Sequence, residues 1–147
     1  MREHTTDIES IILKDGVYVS TSAGVSMMPM LRDRRDTIVV EPVTERLKKY
    51  DVALYRRGED YVLHRVIKVL PDSYVIRGDN CMAKEYGITD REIIGKLTAF
   101  YRKDNKIDMS GRGYRAYSVI ICAAHPIIYC ILGVRGVFRR LFGKKHK

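Results

Sequence analysis

The stretches Tyr61-Val-Leu-His-Arg-Val-Ile-Lys-Val69 and Ser73-Tyr-Val-Ile-Arg77, joined through Leu70-Pro71-Asp72, set the reading of this chain. Both runs are dominated by β-branched and aromatic residues, which suit a pleated, half-buried surface, and the Pro-Asp pair between them supplies a turn. Together they read as a β-hairpin. Immediately upstream, Arg57-Gly58-Glu59-Asp60 reads as the turn of the preceding hairpin, whose first strand lies at 52–55. Similar runs recur at 17–19, 37–40 and 93–101. Before them, Ile8, Ile11 and Ile12 fall on one face of a short amphipathic helix over 7–14, with acids near its start and Gly16 past its end. The expectation is a mainly β fold with one short N-terminal helix. At 147 residues, 46% of them apolar, the chain suffices for a single core.

Within this pattern one segment is out of character. Ser22-Ala-Gly-Val-Ser-Met-Met-Pro-Met-Leu31 is apolar enough for a strand but carries Gly24 and Pro29, which weaken a strand interior and remove a ladder hydrogen bond. It reads as an exposed bend that holds Ser26 at the end of an element, a place suited to a nucleophile. A serine hydroxyl attacks poorly unless a base takes its proton. His64, set in a strand among apolar neighbours, is the candidate: it needs a polar partner there, and its ordinary pKa lies near neutrality.

From Ser26 onward the chain runs Ser26-Met27-Met28-Pro29, Lys49-Tyr50-Asp51-Val52, Leu63-His64-Arg65, Gly78-Asp79-Asn80 and Gly95-Lys96-Leu97. This ordered series, spanning about 22–97, resembles the signal peptidase I family and the related LexA-type self-cleaving repressors. The resemblance implies a β-rich peptidase fold in which Ser26 attacks a peptide carbonyl. It places His64 as general base, like the histidine of the endoplasmic-reticulum and archaeal type, where bacterial signal peptidases and LexA-type proteins carry lysine. It further implies an acid just beyond Gly-Asp-Asn that orients the base. Spacing brings Glu85 to that place, while Asp79 competes for the role and also reads as a turn residue capping its own backbone. Gly24 stands where many signal peptidases have serine, so the oxyanion is expected on backbone N–H groups, chiefly that of Ser26, with Gly24 permitting close approach. Met27 and Met28 are read either as lining a substrate groove or as filling core.

The rest of the chain bears on location. Residues 104–114 read as a boundary loop between a peptidase-like domain (1–116) and an apolar, basic tail (117–147). Residues 117–134 contain no Asp, Glu, Lys or Arg, although His125 and Pro126 interrupt them, so they suit a membrane segment at the edge of the required length. Val134, Val137, Phe138, Leu141 and Phe142 then fall at helical spacing among basic residues, as in a helix lying on an anionic membrane surface. Basic residues flank the apolar run on both sides, which favours a segment that dips into one leaflet around Pro126 and returns, giving a peripheral or monotopic protein. The alternative is a core helix of a cytoplasmic domain.

Other classes are disfavoured. Six of the net nine positive charges lie beyond Val134, so the basic balance does not point to nucleic acid. Cys81, Cys122 and Cys130 form no C-x-x-C pair, and no metal, disulfide framework or other cofactor is expected. The N-terminus lacks the apolar run of a signal peptide or anchor, and 25 residues before Ser26 are too few for a helix-turn-helix and linker. The function expected is that of a serine endopeptidase acting on a peptide or protein. The alternative is an inactive peptidase-fold binding module.

Overall fold

A computed structural model describes the backbone of residues 5–142 and the side chains of residues 8–131. Helix α1 (Thr5–Asp15) is followed by β1 (Tyr18–Thr21), β2 (Asp36–Glu41), β3 (Val52–Arg57), β4 (Asp60–Val69), β5 (Tyr74–Arg77), β6 (Glu85–Ile88), β7 (Ile93–Arg102), β8 (Asn105–Asp108) and helix α2 (Arg112–Phe142). The strands form one antiparallel half-barrel sheet in the order β1-β2-β7-β3-β4-β5-β6, with β8 pairing β7. The mainly β expectation is met, including both hairpins. Gly58, at φ 63°, turns β3 into β4 with Arg57 opposite Asp60.

Strand β3 shows why the sheet is stable. Val52 and Leu54 point into one core with Ile12 of α1, Met27, Met30, Leu31, Ile38, Val40, Leu97 and Phe100. Ala53 and Tyr55, on the opposite face, join Leu47, Val66, Tyr74 and Ile76 in a second. A strand buried on both faces reads as the continuous apolar run seen at 52–55 rather than as an alternating one.

Three features depart from expectation. The segment 104–114 is not only a loop: Asn105–Asp108 pairs with Ala99–Arg102 as β8, turned by Lys103 at φ 56°, and α2 begins at Arg112. The boundary drawn at 116/117 therefore falls inside α2. The apolar run does not dip and return at Pro126, because α2 is a single helix that continues through it to Phe142. Side chains of the basic amphipathic stretch from Val134, and all of residues 143–147, lie outside the described residues.

Candidate active site

Residues 22–35 form a compact loop between β1 and β2, and its shape is set by polar contacts. Ser22 closes the neck, its N–H donating to the Asp36 carbonyl and its hydroxyl to the Arg32 carbonyl (2.8 and 2.7 Å). The Asp36 carboxylate, fully buried, accepts from the Arg32 N–H at 2.9 Å, from Arg32 Nε and Nη2 at 3.0 and 2.7 Å, and from Arg102 Nη2 at 3.2 Å. Burial alone would raise its pKa. The hydrogen bonds and charges of Arg32 and Arg102 overcome that and lower it to about 2. At the tip, Gly24 has φ 90° and its N–H donates to Asp33 Oδ1 at 2.7 Å. A Cβ there would meet nothing within 4 Å. Gly24 is thus required for its left-handed backbone and not for close approach, and its N–H is already engaged.

The loop presents Ser26 to the turn after β5. The Asn80 N–H donates to the Ser26 carbonyl at 2.8 Å, and the Asn80 amide donates to the Val25 carbonyl at 3.1 Å. A Cβ on Gly78 would stand 2.7 Å from the Ser26 carbonyl oxygen, 2.7 Å from Cys81 Sγ and 3.0 Å from His64 Nε2. These three groups therefore crowd around one point that only glycine leaves open. Ser26 and His64 both line a cavity of about 480 Å³ together with Gly24, Met27, Arg57 and Cys81. Neither the N–H nor the Oγ of Ser26 has a hydrogen-bond partner among the described residues. Met27 borders the cavity but is 4% exposed and belongs to the first core, so it fills core as well as lining the groove, while Met28 is exposed and stands outside the cavity.

His64 is buried on β4 opposite Ala53, with Nδ1 3.2 Å from Glu85 Oε1 and 3.1 Å from the Tyr55 hydroxyl. Glu85 opens β6 and also accepts from Arg57 Nη1 at 3.2 Å. Burial lowers the His64 pKa below its ordinary 6.5, opposed by the Glu85 carboxylate and helped by the Arg57 charge. Burial and Glu85 push the Tyr55 hydroxyl far above its ordinary range, so it is a neutral O–H donor. In the tautomer with hydrogen on Nδ1, that hydrogen faces the Glu85 carboxylate and the Tyr55 oxygen, and the Nε2 lone pair is left on the side of Gly78 and Ser26.

The two acids considered for supporting the base are thereby separated. Glu85 touches His64. Asp79 accepts bidentately from Arg65 Nε and Nη2, each at 2.7 Å, with both side chains buried. The same guanidinium donates through Nη1 to the Tyr50 carbonyl, the Tyr114 hydroxyl and Ser118 Oγ at 3.2, 2.5 and 2.8 Å. Asp79 thus ties the Gly78-Asp79-Asn80 turn to α2. No family model matches the chain, and no curated protein matches it either. Among the described residues, no group of three His, Cys, Asp or Glu side chains is arranged to hold a metal.

Sequence reasoning missed Tyr55, Arg57 and Cys81 as members of the site. A tyrosine in a doubly buried strand does carry a signal, since its hydroxyl must find a polar partner, and His64 lies across the adjacent strand. The positions of Arg57 and Cys81 depend on the β3 turn and the β5–β6 connection and leave no comparable trace.

Proposed function

We propose that the protein is a serine endopeptidase of the signal peptidase-like clan, with Ser26 as nucleophile, His64 as general base and Glu85 as the acid that orients it. The observation that carries this reading is the close approach of the His64 Nε2 edge and the Ser26 backbone at Gly78, with Nδ1 held by Glu85 and Tyr55. In the reaction, Nε2 takes the Ser26 proton as Oγ attacks the peptide carbonyl, and the imidazolium gains from the Glu85 charge. The proton then passes to the leaving amine, and water hydrolyses the acyl-enzyme through the same base. The Ser26 N–H, without a partner among the described residues, can receive the oxyanion.

An extended peptide suits the cavity. β1 is the end strand of the sheet, and β5 pairs β4 only from Arg65 onward, so the edges of Ser20–Thr21 and of Tyr61–His64 both border the cavity with unpaired backbone. Backbone pairing to a substrate strand follows from that arrangement.

The absence of a Ser26 Oγ hydrogen bond to His64 favours a second reading, a peptidase fold kept for binding peptides without turnover. Catalytic hydrogen bonds commonly tighten only when substrate is bound. Incubation with a diverse peptide mixture and mass-spectrometric detection of new termini separates the two. Cleavage that disappears in both Ser26→Ala and His64→Ala supports the peptidase, and cleavage that persists in Ser26→Ala removes it. Peptide binding with no new termini favours the binding module. We further propose that α2 holds the protein on a membrane surface. It includes a stretch, Arg112–Ile131, long and apolar enough to cross a bilayer, of which 11% is buried.

A further inference from the structure

The turn after β5 is held from several sides. Gly78 leaves the space in which the Ser26 carbonyl and His64 Nε2 meet, and Asp79 is gripped by Arg65. Asn80 binds the loop that carries Ser26, its N–H donating to the Ser26 carbonyl at 2.8 Å and its amide to the Val25 carbonyl at 3.1 Å. The Cys81 N–H closes the turn on the Gly78 carbonyl at 3.0 Å, and the Cys81 carbonyl faces α2, 2.7 Å from His125 Nε2. A carbonyl oxygen only accepts, so His125 carries a hydrogen on Nε2. The imidazole is well placed to hold this contact: it is 7% exposed, and the Tyr129 ring one turn along α2 packs against it with centroids 4.5 Å apart. Tyr114 and Ser118 tie the start of the helix to Arg65 instead. His125 does not line the cavity that holds Ser26 and His64.

A reacting group misplaced by about 1 Å can cost about 10²-fold in rate, so a contact outside the cavity can control turnover. The Ser26 carbonyl is held by Asn80, and Asn80 sits between two anchored neighbours, Asp79 on Arg65 and Cys81 on His125. A turn that loses one anchor opens locally without unfolding the sheet behind it. We infer that His125 is a positioning residue: through the Cys81 carbonyl it fixes the turn whose Asn80 N–H holds the Ser26 backbone beside His64. This rests on the peptidase reading and deepens it by naming a side chain of α2, outside the cavity, on which turnover depends.

The test compares full-length protein with His125→Leu, His125→Asn and His125→Gln. Leucine fills the space without a donor, asparagine carries its amide at the shorter reach of Nδ1, and glutamine carries it at about the reach of Nε2. On a peptide that the parent chain cleaves, His125→Leu and His125→Asn are expected to lose about tenfold in kcat with KM within about twofold, the mark of a contact felt in the transition state, and His125→Gln to keep most of the rate. The asparagine variant keeps the test decisive if the leucine variant does not fold. A second readout needs no peptidase activity. Cys81 lines the cavity, so its alkylation by iodoacetamide, followed by mass spectrometry against exposed Cys130, is expected to quicken several-fold in the leucine and asparagine variants and not in the glutamine one. A merely structural histidine would lower the melting temperature and leave kcat well below the transition unchanged. Unchanged kcat in His125→Leu and His125→Asn overturns the positioning role even if Cys81 labels faster, and so does a rise in KM alone or an equal loss in His125→Gln. If the parent chain cleaves no peptide, the peptidase reading falls and the role in turnover with it, while the labelling rates still report whether His125 holds the turn.

Discussion

Substitutions at Glu85, Asp79 and Gly78 are expected to have three different consequences. Glu85→Gln keeps the shape but removes the charge that the imidazolium needs, so turnover is expected to fall by about 10²-fold or more, with the melting temperature little changed. Asp79→Asn acts elsewhere: it leaves Arg65 buried and unpaired, which costs about 3–5 kcal/mol of stability, measurable by denaturant titration. Equal effects of the two substitutions on turnover at matched stability would contradict this division. Gly78→Ala drives a methyl to 2.7 Å from the Ser26 carbonyl, which is backbone and cannot swing aside, so activity is expected to collapse although one carbon has been added. The pH profile follows from burial. His64 must be neutral to act as base and its pKa is lowered, so the acid limb of kcat/KM is expected below pH 6.5, with activity gained as pH rises through it. An acid limb well above 6.5 would point to another base. The coming together of Ser26, His64 and Glu85 was legible because motif order and residue chemistry coincide at them. Asp79 was ambiguous because a turn carboxylate reads the same whether it faces an imidazole or a guanidinium.

Among the elements, the loop between β1 and β2 is the one whose stability depends most directly on charge. Asp36 anchors it through Arg32 and Arg102, and its folded pKa of about 2 lies below the ordinary 3.8. A depressed carboxylate contributes stability that is complete above its unfolded pKa and is lost as pH falls through the folded one. About 2 kcal/mol is therefore expected to disappear between pH 4 and pH 2, and Asp36→Asn is expected to flatten that part of the stability curve. The long apolar strands were legible from composition, as β4 and β7 show. β6 and β8 were not: Glu85–Ile88 contains Gly87 at φ 74°, and Asn105–Asp108 has one apolar residue. Each is a strand because a long neighbour offers it an edge, a tertiary cause that local propensity does not record. Helix α2 likewise passes through Pro126, where the local rule favours a break.

At the scale of the molecule, α2 is inside out. Its side chains toward the sheet include Tyr114, Ser118 and His125, bonded to Arg65 and to the Cys81 carbonyl, while Val119, Ile120, Ile127 and Ile131 are exposed. A core helix of a water-soluble domain has the opposite arrangement, with its apolar stripe inward. The arrangement suits a helix attached to the sheet by polar contacts and offered to lipid by its outer side, so that in the proposed function docking and the candidate site meet in one element. Two kinds of change should then behave differently. Replacing Ile120, Ile127 and Ile131 together by Ser touches only the outer side and is expected to release full-length protein from anionic vesicles while peptide cleavage in solution is kept. Ending the chain before Tyr117 also takes Ser118 from Arg65 and His125 from Cys81, whose Sγ crowds Gly78 beside His64. That truncation is expected to lose vesicle binding and to weaken cleavage as the turn carrying Asp79 loosens. Vesicle co-sedimentation and peptide turnover on the same preparations check both. If the triple substitution abolishes cleavage in solution, or leaves binding intact, the outer side of α2 is not the lipid-facing one.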